Sequence, residues 1–329
     1  MNFGVLGAGA WGTALAIRLA HGHPVRLWTR SPDHARALNE SRDNQRYLPG
    51  YGFPANLRAT ADLSEATSDA DCLICAVPSN GLRQLVLALR ARALRQPLVW
   101  LCKGFEAGSR KLPHQVLNEA WPDHPAAAVL SGPSFAQEVA RGLPAALTVA
   151  SPDMDFARSM AQALHDPKLR LYASTDVVGV ELGGALKNVI AIAAGISDGL
   201  GFGLNARAAL VTRGLAELSR LGLRLGGKAE TFMGLSGMGD LILTCTGDLS
   251  RNRQLGLRLA AGESLEGALR ELGHVAEGAT TALEAAQLAA ELGVETPITS
   301  AVAQILKQEL PPREAVTALL ARGLKDEGL

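Results

Sequence analysis

The chain has 329 residues, of which 47% are hydrophobic, and its 32 basic residues are balanced by 32 acidic ones. A single hydrophobic core usually stops growing at about 250 to 300 residues, so we expect two domains. The balanced charge argues against nucleic acid or an anionic membrane surface as a partner and leaves a small ligand open.

The sequence also disfavours membrane insertion and secretion. We find no uninterrupted apolar run of about 20 residues, and Met1 leads directly into a strand-like segment, so neither a membrane span nor a signal peptide fits. Four cysteines are too few for a disulfide framework in so long a chain. We therefore expect a cytoplasmic protein with reduced thiols and no stable membrane insertion.

The first half of the chain alternates short apolar runs with longer charged segments, which is the βαβ rhythm of a parallel sheet. Strands are predicted at residues 2–6, 25–29, 71–77, 98–102, 127–130 and 145–150, with a short one near 169–172. From about Thr175 onward, apolar residues recur at three and four positions. We predict an α/β fold, with a Rossmann-type doubly wound sheet over residues 1–174 followed by an all-helical domain over residues 175–329.

The first predicted strand is followed by the pattern G-x-G-x-x-G at residues 7–12 and then by a helix-forming segment. Gly7 permits a tight turn, Gly9 lets the backbone approach a pyrophosphate, and Gly12 allows the helix to pack closely on the strand. Free amide groups at the helix start then face the anion. This order of elements favours dinucleotide binding over a merely structural turn.

The second predicted strand is followed by Arg30, where an NAD site usually has Asp or Glu to hold the ribose hydroxyls. Arg30 is placed to meet a 2′-phosphate, whereas Asp33 follows Pro32 and is expected in the first turn of the next helix, capped by Ser31. We therefore favour NADP as cofactor and keep NAD as an alternative, since Arg30 can also be a solvated surface residue.

Cys72 and Cys75 form a C-x-x-C pattern, which can indicate a zinc site or a redox pair. Their surroundings are those of a buried strand, on which residues three apart face opposite sides. A second Cys/His pair at ligand spacing is not found in the sequence, so we expect core packing and no metal.

Residues just after strand ends are the first candidates for chemistry, because open α/β sheets bind ligands beyond the carboxyl ends of their strands. Lys103 follows one predicted strand, and the loop that contains Gly132 and Ser134 follows the next. A lysine at a buried strand end is costly without a negative partner, so Lys103 is a candidate ligand-binding residue. A plain surface lysine is the alternative.

In the second half, Lys187 and Asn188 interrupt a segment that is apolar nearly all round. Burial lowers the pKa of a lysine toward the range in which it can act as a general acid near neutral pH. Asp240 lies among apolar and glycine residues in a run that reaches Thr244, and a carboxylate so placed needs a cation. A structural Lys–Asp pair is the alternative.

Ser250, Arg251 and Asn252 follow shortly afterwards. A guanidinium group with adjacent hydroxyl and amide donors is well suited to a phosphate. A helix cap at Ser250 is the alternative.

Together and in this order, these motifs resemble the bacterial-type NAD(P)-dependent glycerol-3-phosphate dehydrogenases. The resemblance rests on residues 7–12, 103–104, 131–135, 186–189, 237–241 and 250–252. It implies a dinucleotide-binding domain followed by a helical domain of the 6-phosphogluconate dehydrogenase type. It also implies interconversion of sn-glycerol 3-phosphate and dihydroxyacetone phosphate, which supplies glycerol 3-phosphate for phospholipid synthesis.

The resemblance implies roles for individual residues. Lys187 matches the proton-transferring lysine, and Asp240 is expected to hold it. Cofactor contacts are expected at Gly7, Gly9, Ala10, Trp11, Gly12, Arg30, Lys103, Ala136, Arg251, Val275 and Glu277. Substrate contacts are expected at Lys103, Gly132, Ser134, Lys187, Asn188, Asp240, Thr244, Ser250, Arg251 and Asn252. Ser134 stands where threonine is also common, and Arg30 stands where the family varies.

Two other functions stay open at this stage. One is a dehydrogenase of the same architecture that acts on a hydroxyacid or a phosphosugar acid. The other is a non-catalytic NADP(H) sensor, which needs the glycine turn but has no use for a buried lysine and aspartate. The sequence leaves the oligomeric state open, and a homodimer is one of the assemblies that it allows.

Overall fold

The computed structural model describes residues 1–273 and 277–321. Its contacts divide the chain into a first unit of Met1–Cys102 and Pro113–Val177, and a second unit of Lys103–Leu112 and the chain from Val178 onward. The domain division predicted after residue 174 stays a prediction. No sequence pattern indicated that Lys103–Leu112 belongs to the second unit.

The first unit is built on an eight-stranded sheet. Its strands are β1 (Phe3–Leu6), β2 (Val25–Trp28), β3 (Leu57–Thr60), β4 (Cys72–Cys75), β5 (Leu98–Trp100), β6 (Ala127–Ser131), β7 (Ala145–Ala150) and β8 (Leu169–Ser174). The order across the sheet is β3-β2-β1-β4-β5-β6-β7-β8. The first six positions have the order of a doubly wound dinucleotide-binding sheet, in which ligands bind where the order reverses, at β1 and β4. The predicted fold class is confirmed.

Two features of the sheet differ from the sequence prediction. β3 was not predicted because Leu57-Arg58-Ala59-Thr60 is short and carries an exposed arginine. β7 runs antiparallel to β6, whereas a parallel sheet was predicted, and β8 is parallel to β7. The prediction was wrong here because an apolar run indicates burial of a strand but not its direction.

Seven helices alternate with these strands along the chain, and the first, second, sixth and seventh have side chains in the apolar cluster of the sheet. The seven helices are α1 (Ala10–Ala20), α2 (Pro32–Ser41), α3 (Leu63–Thr67), α4 (Ser79–Arg90), α5 (Pro113–Ala120), α6 (Ala136–Arg141) and α7 (Met154–Ala163). Cys72 and Cys75 are buried free thiols in β4, and burial raises the pKa of each to about 12. They are therefore neutral members of the core.

Apart from Lys103–Leu112, the described part of the second unit is mainly helical. Its helices are α8 (Val177–Gly199), α9 (Gly203–Arg224), α10 (Ala229–Phe232), α11 (Asp240–Thr246), α12 (Arg251–Ala260), α13 (Leu265–Glu271), α14 (Glu277–Glu291), α15 (Pro297–Leu306) and α16 (Pro312–Leu320), with a π-helical turn at Leu235–Gly239. α8 is long and apolar enough to cross a membrane, but 94% of its most apolar window is buried inside the protein. It is the central helix of this unit, as its all-round apolar pattern predicted.

Glycines bring α12 close to α8. A Cβ atom at Gly195 would collide with the main-chain oxygen of Arg253, and one at Gly256 would collide with that of Ile192. Arg253 also bonds Asp198, near the end of α8, at 2.8 Å. These contacts fix where the N-terminal end of α12 lies relative to α8.

Candidate active site

The turn between β1 and α1 contains three glycines in different environments. A Cβ atom at Gly7, whose φ is 130°, would collide with the backbone of Ala76, and one at Gly12 would collide with the backbone of Gly7. At Gly9 nothing lies within 4 Å of the Cβ position. The protein's own packing therefore requires glycine at positions 7 and 12, whereas the main chain at position 9 is open to a ligand.

The carboxyl end of β2 lies beside this turn, because the Gly7 amide donates to the carbonyl of Trp28 at 3.0 Å. Arg30, two residues after Trp28, is exposed at this edge of the sheet. Asp33 lies in the first turn of α2, which Ser31 caps by accepting a hydrogen bond from the backbone, as predicted. The contact of Arg30 with a 2′-phosphate stays a prediction.

The loop after β6 is held against the start of α1. Nε1 of Trp11 donates to the hydroxyl of Ser134 at 3.0 Å and to its carbonyl at 3.2 Å. The hydroxyl of Ser134 donates to the carbonyl of Gly132 at 3.2 Å, and Ala136 begins α6 as a buried residue. The structure thus brings Trp11, a predicted cofactor contact, together with two predicted substrate contacts.

Asn44 is a residue of this region that the sequence analysis missed. It is fully buried, and its Nδ2 donates to the carbonyl of Ala8 at 3.0 Å and to the hydroxyl of Thr13 at 2.7 Å. One side chain therefore joins the glycine turn, at Ala8, to the first turn of α1, at Thr13. No local pattern could have indicated this, because Asn44 lies 31 positions from Thr13 outside every predicted strand.

In the second unit, Lys103, Lys187 and Asp240 form a buried ion cluster. Nζ of Lys103 donates to Oδ2 of Asp240 at 2.8 Å, and Nζ of Lys187 donates to Oδ1. The Asp240 side chain is completely buried, that of Lys187 is 9% exposed and that of Lys103 is 17% exposed. One carboxylate binds both ammonium groups. The sequence predicted that Asp240 holds Lys187 and that Lys103 has a negative partner, without identifying that partner.

Burial lowers the pKa of Lys187 to about 8; the Asp240 carboxylate raises it, and the Lys103 ammonium acts in the same direction as burial. Most of the Lys187 side chains carry their proton at neutral pH. Because the pKa lies close to neutrality, the group can give up and regain a proton during turnover.

The position of Asp240 follows from the packing around the π-helical turn that precedes α11. Gly183 of α8 lies against this turn, where a Cβ atom would collide with the main-chain oxygen of Ser236. The hydroxyl of Thr244 donates to the main-chain oxygen of Asp240 at 2.6 Å and lies 3.4 Å from Oδ1. Turns of this kind are frequent at functional sites. Thr244, predicted as a substrate contact, supports the backbone of Asp240.

The N-terminal end of α12 carries the predicted phosphate-binding residues. Ser250 caps the helix by accepting a hydrogen bond from the Arg253 amide at 3.2 Å. The helix cap that was the alternative interpretation of Ser250 is therefore observed. Arg251 is the first residue of the helix and is exposed. Its guanidinium group is therefore accessible to an anion in solution.

The start of α14 lies next to this end of α12. The amide of Gly278 donates to Oδ1 of Asn252 at 3.2 Å, and a Cβ atom at Gly278 would press on the main-chain oxygen of Asn188. Asn188 itself is buried directly after Lys187. Asn188 and Asn252, both predicted substrate contacts, are thus brought together.

Glu277, the first residue of α14, lies within electrostatic reach of the cationic side chains. Burial raises the pKa of its carboxyl, while Arg251, Lys103 and Lys187 lower it. The predicted phosphate-binding arginine and the ion cluster therefore share one electrostatic environment. Val275, a predicted cofactor contact, lies outside the described residues.

Comparisons with known proteins agree over nearly the whole chain. Residues 2–157 match the family model of the NAD-dependent glycerol-3-phosphate dehydrogenase N-terminus, and residues 176–317 match that of its C-terminus. Glycerol-3-phosphate dehydrogenase (NAD(P)+) of Nitrosospira multiformis is 58% identical, with 99% of each chain covered. The protein of that name from Thiobacillus denitrificans is 58% identical over 99% of this chain and 100% of its own length.

Solved structures give the same picture. The crystal structure of glycerol-3-phosphate dehydrogenase from Coxiella burnetii superposes with a TM-score of 0.93 at 42% identity, covering 98% of this chain and 99% of that one. D-mandelate dehydrogenase in complex with NADH superposes with a TM-score of 0.63 at 13% identity, covering 94% of this chain and 98% of the other. The second likeness concerns the fold alone.

Proposed function

This chain belongs to the NAD-dependent glycerol-3-phosphate dehydrogenase family, and from this membership we propose that it interconverts sn-glycerol 3-phosphate and dihydroxyacetone phosphate with NAD(P)(H). The observation that carries the proposal is the buried cluster of Lys103, Lys187 and Asp240. A buried lysine that is paired with a buried carboxylate, and whose pKa burial lowers, is typical of a proton-transfer site and is not needed for binding a cofactor alone.

The residues of the first unit fit a bound dinucleotide. The main chain at Gly9 is open where a pyrophosphate would approach, and the first amides of α1 follow it. Ala10, Trp11 and Gly12 complete the turn, and Arg30 is proposed to bind the 2′-phosphate of NADP, with NAD as the alternative. When bound, the nicotinamide supplies hydride in reduction and accepts it in oxidation.

The proton is proposed to move at Nζ of Lys187. In reduction, the ammonium group protonates the oxygen that gains negative charge as the ketone is reduced, because a cation preplaced in a buried site stabilises that charge. In oxidation, the neutral amine accepts the proton of the alcohol. The carboxylate of Asp240 orients the amine in both directions and favours its charged form.

The phosphate of the substrate is proposed to bind at the start of α12. Arg251 offers an exposed guanidinium group, and Asn252 lies beside it. Ser250 can contribute its hydroxyl while it caps the helix. These donors suit the dianion of a phosphate ester better than a single carboxylate.

One assay tests substrate, cofactor and enzyme status together. Dihydroxyacetone phosphate added to protein and NADPH should cause loss of NADPH absorbance, and NADH should be compared in parallel. Hydroxyacid and phosphosugar-acid substrates, assayed in the reverse direction, should give little turnover. Tight NADPH binding without turnover of any ketone phosphate would instead indicate a sensor.

Lys187→Ala should lower kcat by at least about a hundredfold, as is usual for loss of a general acid, while the affinity for NADPH changes little. Lys307→Ala is the matched control, since Lys307 is exposed and ion-paired only loosely, at 3.9 Å, with Glu309. A kcat close to wild type in Lys187→Ala would refute the assignment.

We further propose that the enzyme acts in the cytoplasm and supplies glycerol 3-phosphate for phospholipid synthesis. Four free cysteines, all buried, support a reducing compartment. A homodimer is proposed as the assembly, supported by the exposed Phe202 and Leu204 at the start of α9, of which Leu204 is 70% exposed. Light scattering of wild type and Leu204→Glu would test it, and a monomeric wild type would refute it.

A further inference from the structure

The segment Lys103–Leu112, here called the strap, is attached to α14 by two carboxylates. The amide of Gly108 donates to Oε1 of Glu284 at 2.8 Å. The guanidinium of Arg110 lies 3.3 Å from Oε1 of Glu291. Glu284 and Glu291 are seven positions apart, which places them on one face of the helix. The strap is thus attached to α14 at two points two helical turns apart.

Both ends of the strap are anchored in the core of the second unit. Phe105 and Leu112 are buried and belong to one apolar cluster with Leu186 and Phe232. Phe105 lies two residues after Lys103, and Leu186 directly precedes Lys187. The same packing therefore brings the two lysine-bearing segments together, whereas the middle of the strap is held by α14.

The backbone of the strap has a conformation that needs support. Gly104 and Gly108 have φ values of 112° and 77°, and Arg110, which is not glycine, has a φ of 56°. A non-glycine residue rarely adopts this left-handed region unless its surroundings hold it there. Internal hydrogen bonds between Glu106 and Lys111 and between Arg110 and Glu106 close the loop. In addition to the ion pair of Lys103 with Asp240 at its first residue, two side-chain carboxylates of α14 tie the strap to the helical unit.

We propose that Glu284 and Glu291 are positioning residues for the reaction: by holding the strap on α14, they fix the ammonium of Lys103 on the carboxylate that also binds Lys187. The inference rests on the proposed function, in which Lys187 transfers the proton. Neither glutamate contacts Lys187, so each acts through Lys103.

The expected consequence is a change in the electrostatic environment of Lys187. The charged and titratable groups that face Lys187 are Asp240, Lys103, Glu277 and the thiol of Cys245. If the strap loosens, the ammonium of Lys103 moves away from this group, and a positive charge that lowers the pKa of Lys187 is weakened. The pKa of Lys187 should therefore rise.

The test compares Glu284→Ala with Glu284→Gln and with Glu266→Ala. Glutamine keeps an oxygen that can accept from the Gly108 amide, and Glu266 is an exposed carboxylate elsewhere in the same unit. The measurement is the pH profile of kcat/KM for reduction of dihydroxyacetone phosphate. In Glu284→Ala, the alkaline limb of this profile should shift to higher pH by at least about 0.5 pH unit. Loss of the negative charge alone would move the limb slightly to lower pH, so Glu284→Gln and Glu266→Ala should show no shift to higher pH.

A second readout does not depend on activity. Amide hydrogen exchange in the strap should be faster in Glu284→Ala than in wild type and the two controls. Unchanged exchange overturns the proposal, and so does faster exchange with an unmoved alkaline limb in an active enzyme. Failure of the wild type to reduce dihydroxyacetone phosphate would instead refute the proposed function, while the exchange data would still decide whether Glu284 holds the strap.

Discussion

Replacing Asp240 by asparagine removes one negative charge with little change in side-chain volume. The carboxylate is completely buried, and it accepts a hydrogen bond from Lys103 at 2.8 Å and another from Lys187. Loss of an opposite charge at bonding distance should lower the pKa of Lys187 by about one to three units. Starting from about 8, a fall of about two units brings the pKa of Lys187 to about 6.

The protonated share of Lys187 at about pH 7 then falls from about nine-tenths to about one-tenth, because each pKa unit is a tenfold change in the proton-binding equilibrium. We expect kcat/KM for reduction of dihydroxyacetone phosphate to fall at least about tenfold near neutral pH. The loss should shrink as the pH is lowered toward about 5.5, since the amine regains its proton. Initial rates from NADPH absorbance between about pH 5.5 and 9 measure this.

Stability provides a second readout. Removing one partner of a buried ion pair costs about 3–5 kcal/mol, and we expect the low end because Lys103 is partly exposed and Lys187 can lose its proton. Denaturant unfolding measures the cost, and Asp248→Asn is the matched control because the Asp248 side chain is 96% exposed. A kcat/KM near wild type at neutral pH, or a loss that is equal at every pH, would refute the reasoning.

Four further predictions follow from the described geometry. Gly9→Ala should lose less than about 1 kcal/mol in free energy of unfolding but should bind NADPH weakly. Gly12→Ala should lose stability because its Cβ atom would clash with the backbone of Gly7. Thermal melts compare the stabilities of the two variants, and fluorescence titration compares their affinities for NADPH. Arg251→Ala should mainly raise KM for dihydroxyacetone phosphate, and an unchanged KM would place the phosphate elsewhere. Arg30→Ala should raise KM for NADPH more than for NADH, and an unchanged preference removes its role. In wild type, kcat/KM for reduction should fall and that for oxidation should rise as the pH passes about 8; parallel profiles would contradict proton transfer by Lys187.

The sequence by itself determined features that depend on neighbouring residues. The order of strand, glycine turn and helix predicted β1 and α1, and Ser31 with Pro32 predicted the start of α2. The all-round apolar pattern predicted that Lys187 would be buried in a central helix. These predictions succeed because sterics, capping and hydrophobic spacing act within a few positions along the chain.

Only the tertiary structure decided which distant residues meet. Lys103 reaches Asp240 across 137 positions, and Glu284 reaches the strap across 176. The tertiary structure also decided the antiparallel direction of β7, because an apolar strand is equally well buried in either direction. A composition pattern shows that Asp240 needs a cation, but the identity of that cation depends on how whole helices and loops pack, which no local pattern contains.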